Sequence, residues 1–428
     1  MKKIVLLVLA VSVLIFIVAG AVVQAKAVTL RIMAPQDHVR PVEEELAEKF
    51  TDETGIEIDF QIVPSDQYDN LLATKLNAGE AADIFYTQGG HLNIGPRYNP
   101  EKNCVDLSGQ DWVERMEPLA RESVSLNGKV YGTIIWDINT PFVYVYNKAI
   151  FKELGLEIPT DFAELKDVSQ QLKEAGIIPI YEAVSDGWHH QLPLMLLGPR
   201  YQELNPGLYE KLNNNEIKLT DVSEISQALE QLKEMVDLGY YGDDYMSNQY
   251  ADTARMLASG RYAMALDRFD LPERVEEYPE SKYTAADFGF FVMPYLDNQI
   301  CNITPQGPSK FIYQGSDHIE EAKEYFSFLM RPENLQYFAD HEPRFPALPF
   351  KGVEASYPDN VQKFWDRVEK KGTVMQAGVK YVDPQWTDVG KDLEALFLGA
   401  LSPEQLLIMM DSRRARMAGA QNDPAWVD

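Results

Sequence analysis

Cysteine is almost missing from this chain: Cys104 and Cys301 are the only two in 428 residues. A single bridge between them would not make a disulfide framework, and buried free thiols are the alternative. No CxxC occurs and no Cys/His zinc spacing, so a structural zinc site is not expected. Histidine is scarce as well, with six residues and no HExxH pair; "HEPRF" at His341 lacks the second histidine. There is no GxSxG, no GKS/T phosphate loop and no GxGxxG, which removes the serine-elbow, P-loop and dinucleotide signatures. Basic residues are outnumbered, 39 against 66 acidic, for a net charge of −27. That field repels nucleic acid phosphates and anionic lipid headgroups, so neither is expected as a partner. It also disfavours a strongly anionic ligand unless a local arginine overrides it. Internal repeats, low-complexity tracts and long flexible linkers are lacking too.

What is present is a globular composition, 45% hydrophobic and 11% aromatic, in a chain long enough for two domains of ~200 residues each. Residues 1–27 read as an export signal. Lys2 and Lys3 precede an apolar run from Ile4 to Val23, and Ala25-Lys26-Ala27 supplies a small-x-small cleavage pattern. Retention of the run as an anchor is the rival reading. No cysteine follows it, so a lipid-modified lipoprotein is not expected. The product is placed in the periplasm or on the extracellular face of the membrane.

Beyond the signal, "AVTLRIMA" reads as a strand and "PVEEELAEKFTDETG" as a helix opened by Pro41 and stopped by Gly55. "IEIDFQIVP" alternates like a strand. A helix ended by Gly79 follows, and then a buried strand over Asp83–Tyr86. This order points to a parallel α/β sheet, whose ligands sit at the carboxyl ends of strands. A second α/β unit starts with "FVYVYN", a helix N-capped at Thr160 and closed by Gly176, and the strand "IIPIYEA". "YAMAL", "FGFFVMP" and "SKFIY" are further strands, and the chain beyond about residue 355 is mostly helical. The octet "VSDGWHHQ", Val184 to Gln191, lies at the carboxyl end of the "IIPIYEA" strand. Its adjacent histidines face opposite ways in extended backbone and cannot easily share a metal ion.

Several stretches resemble one family, in its order along the chain. They are "LAEKFTDETGIEIDF", "LLATKLNAGEAADIFY", "LNGKVYGTIIW", "VYVYNKAIFKELGLEIPTDFAELKDVSQQLKEAGIIPI", "MLASGRYAMAL" and "EAKEYFSFLMRPENLQYF". They are similar to the family 1 extracellular solute-binding proteins of ABC importers, the sugar-binding group that includes maltose-binding protein. The resemblance implies a two-lobed periplasmic-binding-protein fold of type II, each lobe a mostly parallel sheet flanked by helices, with ligand in the cleft between. The implied division puts residues 28–140 and 301–350 in the first lobe and 141–300 in the second, with 351–428 as helices mainly of the second. It also implies a monomer that hands a carbohydrate to a membrane permease by hinge closure, with no cofactor, no metal and no catalytic residue.

A sugar site needs flat apolar faces for stacking and short polar side chains for hydroxyls. Stacking is expected from Trp136, Trp188 and Trp386. Trp386 lies where the resemblance places a stacking tryptophan; core packing is its rival, as hinge packing is for Trp136. Hydrogen bonds are expected from Asp37, His38, Gln88, Asp137, Asn139, Asp186, His189, Asp267 and Gln306. Gly89 allows close backbone approach. Asp267-Arg268-Phe269 departs from the Gly and Trp that many relatives carry there, and is expected to reshape the pocket, unless Arg268 merely pairs with Asp267. Trp112, Trp365 and Trp426 are read as structural. A polyamine ligand, whose mark would be convergence of Asp137, Asp186 and Asp267, is the first rival. The second is glycoside hydrolysis, since 66 acidic residues always offer some carboxylate pair.

Overall fold

The computed structural model describes residues 28–426 except 37, 91, 93, 343, 346 and 356, and the backbone alone at 65 and 66. The export signal and Asp37 therefore lie outside the described residues. Among the described residues no helix is long and apolar enough to cross a membrane.

The chain starts with β1 (Thr29–Pro35) and α1 (Pro41–Thr54). Pro41 occupies the first turn, where a missing N–H costs nothing, and Glu43 and Glu44 lie at the positive end of the helix. β2 (Glu57–Val63), α2 (Ser65–Ala78) and β3 (Ile84–Gln88) follow, and β1 runs parallel to both of its neighbours. β4 (Gly132–Ile134) comes before the first passage into the second lobe. There the chain forms β5 (Val143–Asn147), α3 (Phe162–Glu174), β6 (Ile178–Tyr181), α4 (Ser223–Asp237), β7 (Tyr262–Asp267) and β8 (Phe288–Phe291). It returns through β9 (Cys301–Ile303) to β10 (Pro308–Ile312), then α5 (Ile319–Leu329) and α6 (Pro332–His341). β11 (Lys371–Thr373), α7 (Trp386–Phe397) and α8 (Pro403–Ala420) complete the chain.

Among the described residues two larger sheets result, ordered β2-β1-β3-β10-β4 and β8-β5-β7-β6, beside two two-stranded ones, of which β9-β11 is one. Both larger sheets are mixed. In the second only β6–β7 is parallel, while β5 runs antiparallel to both β8 and β7. A mostly parallel sheet was expected there, but the β5–β8 and β5–β7 pairings lack the helical crossover geometry that enforces it. α3 begins one residue later than expected: Asp161, not Thr160, caps it, its Oδ1 accepting from the Glu164 amide at 2.8 Å. Thr160 donates its hydroxyl to the Glu164 carboxylate instead.

Each sheet has its own core. The first packs Ile32, Ile84, Phe85 and Phe311 against α1 and α5 through Phe50 and Phe326. The second has two apolar faces, and Val389, Leu393, Leu406 and Met410 of α7 and α8 join one of them. Cys104 is buried in the first core and Cys301 in the second, so both are free thiols. Among the described residues three passages join the lobes, after β4, before β10 and again after Val353.

Candidate ligand-binding cleft

The octet leaves β6 and tightens into a short turn of 3-10 helix, His189–Gln191. His189 is buried, with Nδ1 2.5 Å from Glu182 Oε1 and Nε2 2.8 Å from the Leu266 carbonyl. Nε2 must donate to that carbonyl, and Nδ1 donates to the carboxylate when the ring is charged. Burial alone would depress its pKa; the Glu182 charge and hydrogen bond outweigh that and hold it above the ordinary histidine value. His190 turns away, its Nε2 donating to the Gly390 carbonyl of α7 at 2.8 Å, and burial lowers its pKa. His189 was expected to donate to a ligand, yet both its ring nitrogens are committed within the lobe. Asp186 was expected as a ligand acceptor; its carboxylate takes the backbone N–H of Tyr250 and pins that residue. Trp188 stays half-buried, with Tyr250 edge-on at 4.9 Å and Phe142 at 6.4 Å between ring centroids.

Three further expectations change at the end of β7. Asp267 is buried and fully engaged: it accepts from Tyr250 Oη at 2.6 Å, from the Arg268 amide at 2.7 Å and from Arg274 at 2.8 Å. It anchors Tyr250 and Arg274 within the second lobe. Phe269 folds back into the core, 5.0 Å from Phe290 and 5.3 Å from Phe364, so it does not shape the cleft. Arg268 does not pair with Asp267, because Arg274 holds that carboxylate. Its guanidinium lies instead between two aromatic rings, 4.4 Å from Trp136 and 4.7 Å from Phe142.

The opposing wall comes from the first lobe. Trp136 packs at 4.2 Å on Phe345 and carries Arg268 over its ring, so it is covered and not open for stacking. A β-carbon on Gly307 would lie 2.6 Å from Trp136 Cδ1, so only glycine lets the return passage lie this close. Gly89 stands beside it, its amide donating to the Gly307 carbonyl at 3.0 Å, and Gln88 ends β3 half-buried. Asp137 was expected to meet ligand but caps its own turn, accepting from the Asn139 amide at 2.9 Å and the Thr140 hydroxyl at 2.5 Å. Burial pushes its carboxyl up to about 6 against those two bonds. Asn139 itself stays half-exposed. His38 follows β1 with Nδ1 unpartnered, and burial, then Lys310 and Arg40, lower its pKa to about 3, leaving a neutral ring.

Two ion pairs span the lobes. Arg97 reaches Asp383 at 3.0 Å, where Gln306 and Gln376 also donate, and Arg344 reaches Asp270 at 3.1 Å. The lobes are thus in contact across the cleft. Gln306 is spent on Asp383 instead of on a ligand. Trp386 opens α7 half-buried against the second-lobe core, its carbonyl accepting from Gln191 at 2.9 Å.

Of the expected residues, the structure brings Trp136, Trp188 and Arg268 to one seam. Phe142, Tyr250, Arg344, Phe345, Arg97 and Asp383 were not foreseen. Phe142 read as strand core, and Arg344 and Phe345 sat inside "HEPRF", which drew notice only as a failed zinc motif.

Two lobes joined by three passages, with aromatic and charged side chains along the seam, define a two-lobed binding-protein fold. Residues 45–374 match the bacterial extracellular solute-binding protein family. The chain belongs to that family. It is 21% identical over 278 residues to a multiple sugar-binding protein of Streptococcus mutans, 63% of each chain. It is also 21% identical over 293 residues to the melibiose/raffinose/stachyose-binding protein MelE of Bacillus subtilis, 65% of this chain and 64% of that one. The chain thus spans a little under two thirds of the length of these relatives. A solved sugar transporter of Bacillus licheniformis in complex with stachyose shares the fold at a TM-score of 0.72 and 23% identity, over 91% of this chain and 100% of that one.

Proposed function

We propose that the protein is the solute-binding component of an ABC importer, holding a mono- or oligosaccharide between its lobes and presenting the closed form to a permease. The observation that carries this is the aromatic seam: Trp188 and Tyr250 of one lobe, part-exposed with ring centroids 4.9 Å apart, connect through Phe142 and Arg268 to Trp136 of the other. Ring faces suit the C–H surface of a pyranose, and closure around it is a population shift towards the form that ligand contacts stabilise. The sugar-binding relatives support the same ligand class. In this reading residues 28–140 and 301–350 build one lobe, 141–300 and 351–428 the other, and the protein works outside the cytoplasm as a binder, without a catalytic step. A polyamine is less well served, since Asp137, Asp186 and Asp267 are each bonded within their own lobe. The test is tryptophan fluorescence and melting temperature across a saccharide panel. A saturable change is expected with at least one sugar, weakened by Trp188→Ala. If no saccharide moves either signal, the carbohydrate reading falls.

A further inference from the structure

We infer that the cleft is built for an acidic saccharide, one bearing a carboxylate such as a uronate, and that Arg268 is the residue that selects it; this rests on the carbohydrate reading above.

The argument begins with hydrogen-bond accounting. Arg268 follows β7 directly, and its guanidinium is sandwiched between Trp136 of the first lobe and Phe142 of the second, at 4.4 and 4.7 Å. Its Nη1 is shut off from solvent and has no hydrogen-bond acceptor. The carboxylates around it are already answered. Asp267 is held by Arg274 and Tyr250, at 2.8 and 2.6 Å. Asp270 is held by Arg274 at 3.0 Å and by Arg344 at 3.1 Å. Asp137 is turned to the Asn139 amide and the Thr140 hydroxyl of its own bend. Arg268 is thus the one guanidinium at this corner without an ion-pair partner among the described residues, while the charges of Asp137, Asp267 and Asp270 reach it only at longer range.

Arg268 is part-exposed, with Nη1 alone shut off from solvent, so its fork has room for an acceptor that would pair with it directly. Sugar hydroxyls would satisfy the N–H groups but give the cation no ion-pair partner of its own. A carboxylate satisfies both, because its two oxygens match the planar fork of arginine. The flanking rings hold that fork flat and orient its edge. Both lobes contribute a ring, so an anion bound there contacts the closed form more fully than the open one. With a net charge of −27 the protein as a whole repels anions, which leaves recognition to a local cation of this kind.

The experiment is titration calorimetry on the full chain with galacturonate, glucuronate and mannuronate trimers, each beside its carboxyl-reduced neutral counterpart. At least one acidic trimer is expected to bind about 100-fold more tightly than its neutral counterpart. Arg268→Gln should bring that pair close to parity, and Arg268→Lys should retain part of the preference. The wild-type ratio is decisive on its own should a variant fail to fold. The inference is overturned if neutral saccharides bind as tightly as acidic ones, or if Arg268→Gln weakens both equally. In that outcome the carbohydrate reading survives. If no member of the panel binds, and raffinose and stachyose also fail, both fall together.

Discussion

Glu182→Ala should cost more than any single change at the cleft surface. Glu182 and His189 are 2% and 1% exposed, and their side chains meet at 2.5 Å. Removing one partner of a buried ion pair typically costs ~3–5 kcal/mol. In a unit of roughly 200 residues each kcal/mol lowers the melting temperature by about 2–4 °C, so a fall of roughly 6–20 °C is expected. Glu182→Gln should behave differently. The Leu266 carbonyl keeps the proton on Nε2, so a neutral ring presents a lone pair at Nδ1 that the new amide N–H can meet. The loss should then be about 1 kcal/mol. The pH dependence has a definite sign. His189 is held above its ordinary value of 6.5, so its protonation contributes fully below that pH and is lost as pH rises through the folded-state value. The stability advantage of wild type over Glu182→Gln should therefore shrink as pH rises above 6.5 and through the raised folded-state value. Thermal unfolding followed by circular dichroism at several pH values tests both points. Equal destabilisation by the two substitutions, or a wild-type advantage that does not change with pH, would refute the charged-pair assignment.

Three other outcomes follow from the same geometry. Arg97→Gln breaks the 3.0 Å pair with Asp383 that spans the lobes; a shift of ~1–2 kcal/mol towards the open form should enlarge the radius of gyration in small-angle X-ray scattering, and an unchanged curve would count against the pair as a latch. Phe269→Ala, at a residue 3% exposed, should cost ~3–5 kcal/mol of stability while leaving ligand affinity of the folded fraction unaltered; a selective loss of affinity would return Phe269 to the cleft. Burial raises both thiols, Cys301 to about 12, so Ellman's reagent should label neither until the protein is unfolded; rapid labelling in the native state would contradict their burial.

The skeleton was legible because its signals are local. Pro41 and Gly55 bracket α1, Gly79 closes α2, and "YAMAL" starts where β7 starts. The site was less so, because the fate of a polar side chain depends on partners distant in sequence. Asp267 is taken up by Tyr250 and Arg274, neither marked by any periodicity around it. Asp137 and Asp186 looked like free acceptors at strand ends, yet backbone amides claim them, that of Asn139 two residues on and that of Tyr250 64 residues away. Trp136, Trp188 and Arg268 were anticipated, while the rings that complete the seam, Phe142 and Phe345, are apolar residues that core packing explains equally well from sequence. The Thr160–Asp161 difference is of another kind: both residues are good caps, and a hydrogen bond to the Glu164 amide decides between them.

β3 and β10 lie side by side, with Gln88 opposite Pro308, and that pairing sets an order of assembly. About 220 residues separate the partners, so the loop to be closed contains the whole β5–β8 sheet. That sheet is contiguous, from Val143 to Phe291, and its strands can pair without waiting for anything downstream. The first sheet cannot: until residue 312 exists, β4 has no neighbour and β3 presents an open edge. The sheet that begins the chain is therefore completed only after the sheet inserted into it.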